Sequence, residues 1–198
     1  AGTYTISLIA NNNKTSSTVS KTITILPNTN LINLTNIKLG INTAHNTIGS
    51  FYSTRLRRSF KQSDDLDTAG KWIDVVYFGL NSLFSYNKFI SPDSAQAYTF
   101  DAIKAAQSAK VINSQEVCNC GANFYSADFD NMVNDAPLKS ASINVTAEGS
   151  KQWTNGLPDR IVLFQTKDGR KGAIKVKQYV AAGADSYIVV DIKVQKKP

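Results

Sequence analysis

Apolar and polar residues alternate at both ends of the chain and lose that order in the middle. Residues 3–9 and 18–26 repeat at every second position, the period of a half-buried strand. Asn11-Asn12-Asn13-Lys14 between them is turn sequence, so the segment predicts a hairpin rich in β-branched residues. A lone hairpin does not bury an apolar face by itself. Either the chain belongs to a longer protein, or these strands pair with another body. Pro27-Asn28-Thr29-Asn30 reads as a linker. It divides a hairpin over 1–27 from a body over 34–198, with 28–33 between them.

In the body, Leu34 to Gly40 reads as a short strand, and Trp72 to Phe78 as a buried central strand carrying one acid, Asp74. Two helices are predicted. One spans Phe100 to Ala109, on the spacing of Phe100, Ile103 and Ala106; the other spans Ser126 to Asn134, with Phe129, Met132 and Val133 on one side. The last third predicts a meander. Arg160–Thr166 and Gly172–Tyr179 flank an Asp168-Gly169 turn, and a loop containing Gly183 leads to Tyr187–Val194. Ile174 and Val176 alternate with Lys175 and Lys177, which predicts one buried and one wet face. Trp72, opening an apolar run, is expected to be buried, and Trp153, within Ser150–Gly156, to lie in a polar loop. The fold class that results is α+β and β-rich: an N-terminal strand pair, then a mainly antiparallel sheet domain with two short helices.

Length and composition narrow the class. The 198 residues are 42% hydrophobic and 19% charged, which excludes a disordered chain. No run approaches the ~18 apolar residues of a membrane-spanning helix. The chain opens on strand sequence, Ala1-Gly2-Thr3-Tyr4, so any export signal is expected to have been removed. The net charge of +7 raises the question of nucleic acid, but no recognition helix, zinc-ligand pattern or RNA-binding strand motif accompanies it. No specific nucleic-acid partner and no cofactor are expected.

Two segments resemble known families. Residues 2–8 followed by 17–25 resemble the last two strands of a PKD-type immunoglobulin-like domain. Leu39-Gly40, Ile48–Thr54, Ile73–Gly79, Asp168–Val176 and Asp191–Lys196 are together similar to uncharacterised surface lipoproteins of Bacteroidetes-type bacteria. That resemblance implies an extracellular location at the outer-membrane surface, with membrane attachment only through an upstream lipid anchor, and no known activity. It also gives meaning to Asp67-Thr68-Ala69 and Asp93-Ser94-Ala95, which look like the O-glycosylation signal of exported proteins in that group, with Thr68 and Ser94 as acceptors.

The residues with chemistry form few constellations. Arg55, Arg57, Arg58 and Lys61, interleaved with Leu56 and Phe60, form the densest basic cluster; it is a candidate for an acidic polysaccharide or phosphate, or a solvated loop balanced by nearby aspartates. Trp153 is the candidate binding aromatic, or else a loop tryptophan folded back as a lid on the core. Cys118 and Cys120 read as inert thiols or a structural disulfide, the bridge requiring a tight turn at Asn119 and Gly121. The oxygen-rich stretch from Asp128 to Asp135 lacks EF-hand spacing, so no metal is assigned. His45, Ser50 and Ser53 form no nucleophile motif, and no paired-carboxylate motif marks a glycosidase. The expected function is non-enzymatic: a surface lipoprotein, or an accessory subunit of an outer-membrane assembly, that binds an envelope protein or a glycan. A polysaccharide-acting hydrolase is the competing class.

Overall fold

A computed structural model describes residues 1–121, 123–156 and 159–198. The protein is β-rich, with three antiparallel sheets and a few short helices. Among the described residues, no helix is long and apolar enough to cross a membrane.

The first sheet is the hairpin of β1 (Gly2–Asn11) and β2 (Ser16–Ile25), in continuous register from Gly2↔Ile25 to Asn11↔Ser16. Its turn is closed by the Asn12 carboxamide, which accepts the N–H groups of Lys14 and Thr15, while Asn13 takes the left-handed conformation that asparagine tolerates.

The second sheet has five strands in the order β3 (Leu31–Gly40), β11 (Tyr187–Gln195), β10 (Lys171–Val180), β9 (Ile161–Gln165), β8 (Lys110–Ile112). β9, β10 and β11 form the meander that alternation predicts, turning at Gly169, whose φ of 87° requires a residue without Cβ. Bulges at Lys177 and Asn36 increase the local twist, and the Asn36 N–H, released from the ladder, donates to Asp191. The third sheet runs β5 (Arg58–Phe60), β4 (Phe51–Ser53), β6 (Val75–Gly79), β7 (Asn87–Ile90).

These two sheets enclose the main core. Val162, Phe164, Ile174, Val190 and Ile192 of one meet Tyr52, Val75, Tyr77 and Phe89 of the other. The outer face of the third sheet, Phe51, Phe60, Val76, Phe78 and Ile90, is covered by Leu66, Ala95, Phe100 and Ile103 from the connecting segments. α1 (Leu66–Ala69) and two 3₁₀ turns, Gly70–Trp72 and Pro92–Ala97, lie in these segments.

The helix predicted over 100–109 is absent. Phe100 and Ile103 are buried, but they anchor an irregular loop in which Ala105 has a φ of 56°, incompatible with an α-helix. The helical spacing reflected two docking points on a sheet. The second prediction fares better, since α3 spans Ser126–Asn131, with α2 (Gln115–Cys118) and α4 (Ala136–Ser140) on either side.

The wet face expected of the meander is exposed at Lys177, which pairs with Asp191, but is covered over the rest of its length. Ile161, Leu163 and Ala173 on that face pack with Phe124, Phe129, Met132, Leu138 and Ile143. Lys175 and two further lysines of that face are pinned to the covering segment. Lys175 pairs with Asp130, and Lys171 donates to the Lys139 and Ala141 carbonyls beyond α4. Lys193 donates to the carbonyls of Phe129, Asp130 and Met132 at the end of α3. Long lysine stems cross an apolar surface and place the charge where a helix exposes unpaired carbonyls. Replacing Lys193 by methionine is expected to cost about 1.5–3 kcal/mol in chemical denaturation, the range for bonds to a charged group. A change within ~0.5 kcal/mol, the scale of a surface substitution, would show that these carbonyls find water equally well.

Candidate functional site

Three turns from separate elements meet at one end of the sheet sandwich. The turn after β4 brings Thr54 and Arg55, the 3₁₀ turn before β6 brings Lys71, Trp72 and Asp74, and the β9–β10 turn brings Thr166 to Arg170. Arg170 organises them. Its side chain, only 4% exposed, donates from Nε to both Asp168 oxygens (3.1 and 3.0 Å), from Nη1 to Thr54 Oγ1 (2.9 Å) and from Nη2 to Asp74 Oδ1 (3.1 Å). Asp74 Oδ2 accepts both the N–H and the hydroxyl of Thr54 at 2.7 Å. The guanidinium therefore ties both sandwich sheets together through a closed network.

The two carboxylates differ electrostatically. Burial raises the Asp74 carboxyl above its ordinary value, opposed by Thr54 and Arg170. Burial also acts to raise Asp168, but hydrogen bonds from Thr166, Arg55 and Arg170 outweigh it and hold this carboxyl well below the usual range. Burial likewise pushes the nearby Tyr52 hydroxyl up to about 12, so it stays protonated at neutral pH.

Outside this buried network lies an open groove of about 200 Å³. Arg55 donates to Asp168 at 2.6 Å, and its guanidinium carbon sits 5.3 Å from the Trp72 ring centroid; the Lys71 ammonium is 5.2 Å from the same centroid. Trp72 is half-buried, and Gln107, Ser108 and Lys167 complete the wall.

The candidate residues read from sequence are dispersed. Of the basic cluster, Arg55 alone enters this groove. Arg57, left-handed with a φ of 55°, and Arg58, 4.0 Å over the Phe60 ring, line a separate shallow depression with Lys38. Trp72, expected to be buried, is half-buried, and Trp153 is the loop tryptophan folded back on the core. Trp153 is 3% exposed, stacks on Phe89 at 6.0 Å and donates from Nε1 to the Tyr179 hydroxyl at 2.8 Å, so its ring offers no open face. Its backbone pairs with Asn87, extending the edge of the third sheet. Trp72 ends a 3₁₀ turn three residues before the strand begins and faces the groove.

Thr68 on α1 and Ser94 on the Pro92–Ala97 turn are both exposed. Cys118 and Cys120 are bonded, with Cα atoms 5.1 Å apart and both Asn119 and Gly121 left-handed. The acidic stretch is scattered by its partners. Asp128 accepts the Tyr125 N–H at the start of α3, Asp130 pairs with Lys175, and Asp135 accepts from Asn30 and Gln195. Among the described residues, no three His, Cys, Asp or Glu side chains converge as metal ligands. Ser50 donates to the Gly40 carbonyl, Ser53 accepts from the Leu56 N–H, and the His45 ring contacts Asn42 and Asn46.

The hairpin offers a different surface. In its register Tyr4, Ile6, Leu8, Val19, Ile23 and Ile25 share one face, interrupted only by Lys21, while threonines and serines dominate the other. The six apolar side chains are 42–73% exposed.

No family model matches the chain, and no curated protein matches its sequence. Its fold is similar to that of a DUF4466 family protein from Parabacteroides merdae, a Bacteroidetes bacterium, known from a crystal structure. The TM-score is 0.54 at 11% identity, and the likeness covers 98% of this chain and 62% of that one. The chain thus spans less than two thirds of that protein's length.

Proposed function

We propose that the protein is a non-enzymatic binding module exposed at the outer-membrane surface, and that β1 and β2 are its seam to the rest of a larger polypeptide. On this reading the hairpin is the end of a PKD-type immunoglobulin-like sandwich whose other strands precede Ala1 in the same chain. The upstream part carries the lipid anchor, and the body presents its surface to an envelope protein or a glycan. The exposed apolar face of the hairpin carries the proposal.

Six large apolar side chains alternate in strict register over two ten-residue strands. Burying each is worth roughly 1.5–3 kcal/mol as an upper figure. A two-stranded hairpin is marginal in water without such burial. The pattern fits one sheet of a sandwich, with Thr and Ser facing solvent on the opposite side. The solved DUF4466 protein also extends well beyond the shared fold.

The spending of polar groups supports binding over catalysis. Asp74 and Asp168 are both committed to Arg170, and the serines to backbone groups. A photoreactive benzoylphenylalanine placed at position 6 or 8 of the native full-length polypeptide is expected to crosslink to residues ahead of Ala1 in the same chain. At position 5 or 22, on the polar face, it is expected to give no such adduct. Adducts to other proteins alone, or none at position 6 or 8, would overturn the seam.

A further inference from the structure

We propose that the groove beside Trp72 binds an acidic sugar, a carboxylated pyranose carried on a glycan. The inference goes beyond the hairpin seam, and each can fail without the other. Its first support is charge. Arg55, Lys71, Lys167 and Arg170 line the groove against Asp74 and Asp168, a balance of 4 − 2 = +2. Both acids are occupied, Asp74 by Thr54 and Arg170, and Asp168 by Thr166, Arg55 and Arg170. The excess therefore sits at the mouth on Lys71 and Lys167, neither of which has an acidic partner among the described residues.

The second support is a positioned donor. Arg55 spends one Nη2 bond on Asp168, which holds the guanidinium near the Trp72 ring while its side chain stays 52% exposed. Asp168 takes one of the two Nη2 hydrogens, and among the described residues Nε and Nη1 have no partner, so the second Nη2 hydrogen and the N–H beside it remain as a planar fork on a guanidinium held at the groove. Carboxylate is the anion this fork fits in two parallel bonds.

The third support is the wall. Trp72 is half-buried and lines the groove, with the Arg55 guanidinium and Lys71 ammonium over its ring, so the part of the indole they leave uncovered is what meets the C–H groups of a sugar. Gln107 uses its Nε2 on the Ala105 carbonyl, leaving the amide oxygen to accept from a hydroxyl. The volume of about 200 Å³ is below the ~300–1,000 Å³ of pockets that enclose drug-sized ligands, so the occupant is one ring with the remainder in solvent. A nucleic-acid track would need aromatic platforms in series along a basic groove; here one tryptophan stands alone.

Digalacturonate is the probe, titrated at physiological salt with intrinsic tryptophan fluorescence and calorimetry as readouts. Trp72 should report the ligand, because Trp153 is sealed in the core. Binding is expected for the acid and to fall at least about tenfold for its methyl ester, the loss that one charge-assisted bond represents. Lys167→Gln should weaken binding with melting temperature unchanged, and Arg55→Gln should weaken it with no more than the small stability loss of an exposed ion pair. Arg58→Gln, outside the groove, should not. Four results would overturn the proposal: no binding of digalacturonate, equal binding of the ester, equal displacement by inorganic phosphate, or a loss in Arg58→Gln matching that in Arg55→Gln.

Discussion

Replacing Arg170 by methionine is expected to destabilise the protein by about 3–5 kcal/mol at neutral pH, the cost of stranding one partner of a buried pair. The methionine fills much of the same volume, so the loss reports charge and hydrogen bonding rather than a cavity. Asp74, whose side chain is 10% exposed, would remain in place with Thr54 as its only donor, and Asp168 would lose two bonds.

The pH dependence gives the sign. In the native protein Asp168 titrates below its unfolded value, so its stabilisation is present above that value and is lost as pH falls through the folded one. Asp74 is raised, so its ionised form costs stability at neutral pH and that cost is relieved on acidification. Removing the cation raises both carboxyls. The deficit of Arg170→Met should therefore be largest near neutral pH and narrow through Asp74 as pH falls towards ~4, the ordinary carboxylate value, while the share that rests on Asp168 persists below it. Urea unfolding across that range measures it. A deficit that is constant with pH, or below ~1 kcal/mol, would show that water reaches the network and that the sheets hold together without it.

Trp153→Ala is expected to cost about 3–5 kcal/mol, as for other large aromatics cut from a core. The ring fills space against Phe89, and its N–H satisfies the Tyr179 hydroxyl, itself largely buried. Trp153→Phe keeps most of the volume and should lose only about 1 kcal/mol, the worth of one neutral hydrogen bond. Denaturant midpoints at unchanged slope distinguish the two variants. If Trp153→Ala were tolerated within ~1 kcal/mol, the ring would not be part of the core. For binding studies this substitution is a poor probe, because any lost affinity would report unfolding. Trp72 is the aromatic to vary.

The meander was legible in sequence because it is made of local signals, with strict alternation on both sides of a turn whose Gly169 has no substitute. The partner β3 was legible for the same reason. The covering of the outer sheet face was not, since Lys171, Lys175 and Lys193 carry the pattern of solvent exposure while their ammonium groups bond to carbonyls and a carboxylate of a segment without periodicity. The site was hidden in a related way. Asp74 is visible as a lone acid in an apolar run and Arg170 as the residue after an Asp-Gly turn, but their pairing depends on how two sheets stack. Trp72 was misplaced because the apolar run after it masks the 3₁₀ turn in which it sits, and Trp153 stayed undecided between platform and lid because its polar neighbours describe the loop and not the ring.

The sheet order has a consequence for how the protein is made. β3 pairs with β11 from Leu31↔Gln195 to Tyr187↔Gly40, so the first and last strands of the body are neighbours at one edge of the sheet. During synthesis β3 waits without its strand partner until β11 has been made, whatever order the strands between them pair in. The body therefore closes in a late step governed by β11, the strand that bridges β3 to the rest of the sheet.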